Sequence, residues 1–121
     1  MIKYKQIVIL PKKPKMSVGK ASSQVSHATF MALDASWEDD KDTNLLINKW
    51  KRNGMCLIVL QCKDTAQLKN IANYLKQWDI AHHLYYDEGR TEVEPFTPTA
   101  LATGILTEDK WWIFEGLKLY K

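Results

Sequence analysis

Runs of apolar residues mark the strands that the sequence predicts. Four runs have the length and composition of strands, at residues 6–10, 55–62, 80–86 and 99–106. The run at 55–62 is apolar almost throughout, which is typical of a strand that is covered on both faces of its sheet. A short stretch at 117–120 predicts one more strand, at a sheet edge.

Between these strands, apolar residues recur at the spacing of helices. Ser17 can cap a first helix with its hydroxyl group, and Asp64 with Gln67 forms a capping box for a third one. The first helix has an unbroken apolar stripe made of Val18, Ala21, Val25, Ala28, Ala32 and Ala35. The predicted helices cover 17–36, 43–52, a segment after residue 64, and a short stretch at 108–116.

Strands that alternate with helices are typical of a layered α/β fold with a largely parallel sheet. In such sheets, ligands bind beyond the carboxyl ends of the strands, where loops and helix N-termini meet. Lys20 follows the first predicted strand, and Asp87 follows the third. If those strands are parallel, both residues lie on one rim of the sheet, so the order of elements predicts a site there.

The distribution of charge is uneven along an otherwise ordinary composition. The 121 residues are 45% hydrophobic and 26% charged, as in a globular domain without disorder. The net charge is +3, yet no acidic residue precedes Asp34, whereas Lys3, Lys5, Lys12, Lys13, Lys15 and Lys20 do. This asymmetry favours a polyanionic partner such as RNA, and a solvated lysine surface is the alternative interpretation.

Short features exclude a membrane and a disulfide. The apolar runs are far below the roughly 20 residues that a membrane-spanning helix needs. Pro11 and the lysines that follow it do not fit a signal peptide, so we expect a cytoplasmic protein. Cys56 and Cys62 fall in one predicted strand, about 20 Å apart, which is beyond disulfide reach. We therefore expect two buried thiols.

One flank of the first helix carries polar residues that can act together. Lys20, Gln24, His27 and Met31 are spaced i, i+4, i+7 and i+11, which places them in a stripe beside the apolar one. A boundary between core and solvent is the alternative interpretation. Lys20 in the first helical turn opposes the helix dipole, so it needs an anionic neighbour, and free amides near Gly19 favour an anionic ligand.

The segment "DEGRT" at 87–91 is the second candidate. It has the composition of a turn, but its position at the end of a strand, with donors from Arg90 and Thr91, also suits a site. His82 and His83 are adjacent, so on a strand they point to opposite faces and cannot share a metal ion. We find no nucleotide-binding glycine motif and expect no metal or cofactor.

These motifs, in this order, resemble those of the type 2 peptidyl-tRNA hydrolase family. The resemblance covers essentially the whole chain and rests on Met16, Gly19-Lys20, Gln24, His27-Ala28, the Asp-x-Gly-Arg-Thr segment at 87–91, and Thr99. It implies hydrolysis of the ester that joins a peptide to the terminal ribose of tRNA, without a metal and commonly as a homodimer. It also implies a mixed sheet. With the predicted elements, this gives one domain over 1–121, a three-layer α/β/α fold with a mixed, largely parallel sheet of four to five strands.

The resemblance also implies roles for particular residues. The catalytic residues would be Lys20, Gln24, Asp87, Thr91 and Thr99. Substrate would be bound by Lys12, Lys13, Lys15, Gly19, His27 and Arg90. Structural support is the alternative role for His27. The partner would be tRNA rather than DNA or a membrane.

The chain departs from the family pattern at several positions, among them Ser17, Val18, Asp34 and Phe96. Family members usually have glycine and lysine at the first two, often a basic residue at the third, and glycine at the fourth. Together, these departures reduce the positive charge of the surface. They leave open a non-catalytic RNA- or protein-binding domain of the same fold, or a hydrolase of another acyl ester.

Overall fold

The computed structural model describes residues 1–37, 41–87 and 96–121. No helix in these ranges is long and apolar enough to cross a membrane. In chain order the elements are β1 (Tyr4–Pro11), α1 (Val18–Trp37), α2 (Lys41–Arg52), β2 (Leu57–Cys62), α3 (Thr65–Gln77), β3 (His82–Asp87), β4 (Thr97–Thr107), a 3₁₀ helix (Glu108–Phe114) and β5 (Lys118–Leu119). The predicted strands and helices are therefore present, and the last predicted helix is a 3₁₀ helix.

The five described strands form one mixed sheet in the order β3-β4-β1-β2-β5. The α/β class and the mixed sheet are confirmed, whereas the prediction of a largely parallel sheet is wrong. Only β1 and β2 pair in parallel, and β4 runs antiparallel to both β3 and β1, as β5 does to β2. The connection from β3 to β4, residues 88–96, is shorter than the dozen or so residues that a parallel crossover requires.

Two hydrophobic clusters cover opposite sides of β1, because successive side chains of a strand point to opposite faces. Ile7 and Ile9 pack with α3, whose buried residues are Leu68, Ala72 and Leu75. Val8 and Leu10 pack with the alanine stripe of α1, which is Ala21, Ala28 and Ala32. Small side chains in that stripe hold α1 close to the sheet, and this fixes where its polar flank lies. The stacking of three layers stays a prediction.

A buried amide side chain joins α1 to the sheet at the far end from the predicted site. The Gln6 Nε2 group donates hydrogen bonds to the carbonyl oxygens of Thr29 in α1 and Thr103 in β4, both at 3.1 Å. Gln6 is only 1% exposed, so these bonds satisfy donors that would otherwise be costly to bury. They also fix the position of the helix along β1.

The helix caps follow the sequence signals closely. The Ser17 hydroxyl accepts a hydrogen bond from the Lys20 amide at 3.2 Å, as an N-cap should. Asp64 accepts from the Gln67 amide at 2.9 Å, and the Gln67 side chain accepts from the Lys63 amide at 2.6 Å. The return bond of this capping box thus reaches one residue before the cap.

The two cysteines are free thiols, as predicted, but only one of them is buried. Cys62 is 4% exposed, and Cys56 is half-buried. Burial raises the pKa of the Cys62 thiol to about 11, so this side chain stays protonated at neutral pH. The Cys62 thiol is therefore a poor nucleophile, which fits a packing role.

Candidate active site

The strands end on a common edge of the sheet that carries most of the predicted site. β1 and β3 both run antiparallel to β4, so they point the same way although they are not neighbours. β2 is parallel to β1. The carboxyl ends of β1, β2 and β3 therefore lie on one edge, which we call the carboxyl rim. The inference that Lys20 and Asp87 share a rim holds, even though the sheet is mostly antiparallel.

Lys20 and Asp87 form an ion pair on this rim. The Lys20 Nζ group donates to Asp87 Oδ1, and the two side chains are only 9% and 6% exposed. Lys20 extends from the first turn of α1, and Asp87 is the last residue of β3. The cation that opposes the helix dipole thus has the anionic neighbour that its position required. Two opposite charges at the edge of an apolar core interact more strongly than they would in water.

A β-bulge brings Thr99 to the same side of the sheet. In the β3–β4 register, Tyr85 pairs with Ala100 and Tyr86 pairs with Pro98, so Thr99 is an extra residue in its strand. Such a bulge changes the direction of a side chain, and here the Thr99 hydroxyl donates a hydrogen bond to Gln24 Oε1 on α1. Thr99 is 1% and Gln24 is 2% exposed, so the pair is shielded from water.

His27 meets an aromatic residue of β3. Its ring stacks on Tyr85, with ring centroids 5.0 Å apart and planes inclined by 12°. His27 is exposed and Tyr85 is half-buried, so the pair forms a flat surface that solvent can reach. Tyr85 lies two residues before Asp87 on the same face of its strand, which is the period-two signal that could have identified it.

The end of β3 and the start of β4 are tied together beside the ion pair. Asp87 pairs with Thr97, and the Asp87 carbonyl oxygen accepts a hydrogen bond from the Phe96 amide. Phe96 has a φ of 60°, a conformation that glycine adopts without strain and phenylalanine does not. The departure from the family's glycine at this position therefore has a local conformational cost.

The lysines of the β1–α1 connection are exposed, and Lys12 contacts the residues that follow β5. Lys12, Lys13 and Lys15 are all accessible to solvent. Lys12 Nζ donates to the Lys121 carbonyl oxygen at 2.6 Å and lies 5.4 Å from the centre of the Tyr120 ring. Lys12 therefore points towards β5, away from Asp87 at the β3 end.

The remaining predicted site residues are Gly19, Arg90 and Thr91. Gly19 is exposed, and a Cβ added there would contact nothing within 4 Å, so the packing does not require glycine at this position. Arg90 and Thr91 lie outside the described residues, and their roles stay predictions. Within 1–37, 41–87 and 96–121, no three His, Cys, Asp or Glu side chains are grouped as a metal site would need.

The fold and the rim place this chain in a class of protein: mixed α/β domains with a lysine–carboxylate pair at the end of a central sheet. Residues 4–120 match the family described as "Peptidyl-tRNA hydrolase PTH2". The chain belongs to that family, and the resemblance drawn from the motifs is confirmed.

Curated relatives agree with this assignment. A peptidyl-tRNA hydrolase of Methanopyrus kandleri is 33% identical over 107 residues, which are 88% of this chain and 89% of that protein. One from Pyrobaculum aerophilum is 34% identical over 110 residues, with the same coverages of 88% and 89%. One from Halobacterium salinarum is 32% identical over 100 residues, or 83% of this chain and 84% of the relative.

A solved structure supports the fold alone. A protein of unknown function from Agrobacterium superposes with a TM-score of 0.65 and covers 100% of both chains. Its sequence is only 15% identical, so this likeness concerns the arrangement of the elements and not the chemistry of the rim.

Proposed function

We propose that this protein hydrolyses the ester bond of peptidyl-tRNA, releasing the peptide and free tRNA, as a carboxylic ester hydrolase. The buried ion pair between Lys20 and Asp87 on the carboxyl rim is the observation that carries the proposal. Membership of the peptidyl-tRNA hydrolase family supports the substrate, as do relatives that bear that name. The departure at Val18 removes a positive charge next to the site without changing the pair.

The proposed reaction needs an oriented water molecule and stabilisation of the negative charge on the carbonyl oxygen. Asp87 accepts a proton from the water as its oxygen forms a bond to the ester carbon. Lys20 donates a hydrogen bond to the developing oxyanion. The carbonyl then re-forms as the bond to the ribose oxygen breaks, and that oxygen takes up the proton that Asp87 had accepted, which returns Asp87 to its ionised form.

The hydrogen-bonded pair of Thr99 and Gln24 has a supporting role in the proposed reaction. The Thr99 hydroxyl uses Gln24 Oε1 as its acceptor, which leaves the amide NH₂ group of Gln24 available for a second partner. We assign both residues to orienting the water or the ester, together with Thr91. His27 is assigned to the substrate because its stacked ring is exposed on the same flank of α1.

The tRNA backbone is assigned to the cationic surface around the β1–α1 connection. Lys12, Lys13 and Lys15 are exposed, and a polyanion gains affinity by releasing counterions when such groups neutralise its phosphates. Arg90 and the amide of Gly19 are assigned to the same contacts. A protein with this role works in translation, and we place it in the cytoplasm.

One experiment separates an enzyme from a binding domain. Purified protein is incubated with peptidyl-tRNA, and peptide release and tRNA binding are measured on the same sample. We expect release of peptide that depends on protein concentration. Binding of tRNA without release would contradict the hydrolase and favour a non-catalytic RNA-binding domain. Hydrolysis of simple acyl esters without peptidyl-tRNA would favour another substrate.

We also propose that the protein forms a homodimer, as the resemblance implies. An exposed aromatic cluster supports an interface, because large apolar patches on a surface often mark protein contacts. The Trp78 ring contacts Tyr74 at a tilt and Trp112 edge to face, and Tyr74, Trp78 and Trp112 are 38%, 53% and 47% exposed. Sedimentation velocity should show a dimer that a Trp78→Glu substitution weakens. A monomer at all accessible concentrations would contradict this proposal.

A further inference from the structure

The carboxyl rim continues beyond the catalytic pair to the opposite edge of the sheet. In the strand order β3-β4-β1-β2-β5, Asp87 lies at the β3 end. Farther along the rim, Lys12 follows the central strand β1, Lys63 follows β2, and Lys118 begins the edge strand β5. Lys12 and Lys63 directly follow the paired residues Pro11 and Cys62, and Lys118 pairs with Gln61, two residues before Lys63.

The three side chains share one concave opening. Lys12, Lys63 and Lys118 line a cavity of about 230 Å³, and each of them is exposed to solvent. We call this feature the lysine notch. Three lysines that line one small cavity concentrate positive charge there, which favours an anion as its ligand.

The notch is built on fixed elements. The Lys12 ammonium group donates to the Lys121 carbonyl oxygen at 2.6 Å, which leaves further donors for a ligand. The Lys63 amide donates to the Gln67 side chain at 2.6 Å, which fixes its backbone at the start of α3. Asp64, the neighbouring acid, accepts from the Gln67 amide as the N-cap of that helix.

We propose that the lysine notch binds phosphates of the tRNA acceptor arm, at a distance from the ester that is cleaved. Strands lie about 4.8 Å apart, so the notch is roughly 10 to 20 Å along the rim from Asp87. Phosphates on one nucleic acid strand follow each other about every 3.4 Å along the axis, so it meets the backbone roughly three to six nucleotides from the terminal ribose. This inference rests on the proposed function, and it adds Lys63 and Lys118 to the substrate contacts.

If the notch binds tRNA phosphates, the effect of substituting its lysines should depend on the length of the substrate. In the Lys63→Glu/Lys118→Glu variant, KM for peptidyl-tRNA should rise at least about 10-fold at physiological salt, with kcat unchanged. The dependence of log KM on log salt should become shallower by about 1 to 2. With an N-blocked aminoacyl ester of adenosine, which is too short to reach the notch, the variant should match the wild type.

Two matched variants control for charge and for folding. Lys69→Glu/Lys76→Glu makes the same change in charge on exposed positions of α3 that do not line the notch, and it should leave KM unaltered. Lys63→Gln/Lys118→Gln neutralises the notch without reversing its charge and should give an intermediate rise in KM. Thermal melting should be the same for all three, because the substituted side chains are exposed.

The outcomes separate this inference from the proposed function. If the wild type hydrolyses peptidyl-tRNA and the notch variant has the KM and salt dependence of its control, the notch is overturned, and an acidic peptide becomes the better ligand. If the wild type hydrolyses neither substrate, the hydrolase fails instead. Fluorescence anisotropy with deacylated tRNA then tests phosphate binding by the notch independently of hydrolysis. Weaker binding in the notch variant than in its control supports the inference, and equal binding overturns it.

Discussion

Lys20 and Asp87 are each difficult to explain alone. A cation in the first turn of a helix opposes the helix dipole, and a carboxylate that is only 6% exposed has lost most of its hydration. Together the charges offset each other, although the attraction returns only part of the cost of desolvation. A pair of this kind contributes little to stability. Its position at the rim is better explained by chemistry.

Substitution of either member should abolish activity, and the double substitution should separate activity from stability. We expect Lys20→Ala and Asp87→Ala each to lower kcat at least about 100-fold, the scale of one electrostatic catalytic group. Each removes the counter-charge of the other side chain and should cost up to about 3–5 kcal/mol. The double variant should be no less active than the worse single one, yet more stable than either. Single-turnover rates and urea denaturation of the three proteins test this.

Binding provides the control for these variants. Asp87→Ala removes a negative charge from a surface that we propose to meet RNA, so its affinity for deacylated tRNA should be nearly that of the wild type. Hydrolysis at the wild-type rate in both single variants would place the chemistry elsewhere. A double variant less stable than both single ones would instead identify the pair as a structural contact.

The Thr99–Gln24 hydrogen bond should affect both stability and turnover. Thr99→Val keeps the shape of the side chain but removes the donor to Gln24 Oε1, which is buried. Losing a buried partner should lower the free energy of unfolding by about 1–3 kcal/mol and also lower kcat. Thr99→Ser retains the hydroxyl and should keep most of the activity. If valine and serine give the same kcat, the hydroxyl has no part in the reaction.

His83 gives the folded protein a sensitivity to acid. Burial, and next the neighbouring His82, lower the pKa of His83 below its ordinary value of 6.5. Well above pH 6.5 the imidazole is neutral in both the folded and the unfolded chain. As the pH falls through 6.5 the unfolded chain takes up the proton first, so the free energy of unfolding falls until the folded pKa is passed. His83→Gln should show a smaller loss as the pH is lowered through 6.5 in urea titrations; an identical loss would contradict this.

At the level of elements, the proposed role of the β1–α1 connection in binding tRNA can be tested by reversing the charge of its lysines. Lys13 and Lys15 are exposed in this connection, and neither takes part in the lysine notch. Lys13→Glu/Lys15→Glu should weaken tRNA binding and reduce its dependence on salt, because two phosphate contacts are lost. Filter binding over a range of salt concentrations measures both. Binding of tRNA by the wild type that does not respond to salt would mean that these lysines only solvate the surface.

The helices and strands were predictable, but the directions of the strands were not. The period of apolar positions reports which side of an element is buried, and caps such as Ser17 and Asp64 mark where helices begin. The same pattern arises whether a neighbouring strand runs parallel or antiparallel. The position of β4 between β3 and β1 was therefore missed. The bulge at Thr99 was missed as well, because it is defined only by the register against a partner strand.

At the scale of the molecule, the core of the candidate site could be predicted because it depends on the order of elements. Lys20 follows β1 and Asp87 ends β3, and these two strands point the same way. The prediction that the two residues meet therefore holds, although the position of β4 was missed. The stacking of His27 on Tyr85 and the contact of Lys12 with Lys121 could not be predicted. The first depends on which strand lies under which flank of α1, and the second on which strand lies beyond β2, and sequence spacing does not contain that information.

The central place of β4 has a consequence for how the protein is made. During synthesis the ribosome delivers β1, β2 and β3 first, yet the strand that joins β3 to β1 is Thr97–Thr107. Until it emerges, β3 lacks its partner strand, β1 lacks its second neighbour, and Thr99 is not beside Gln24. Unpaired edges are sites of aggregation, so the growing chain is more exposed to aggregation while its sheet is incomplete. A nascent chain therefore cannot act on any ester before most of its own length has left the exit tunnel.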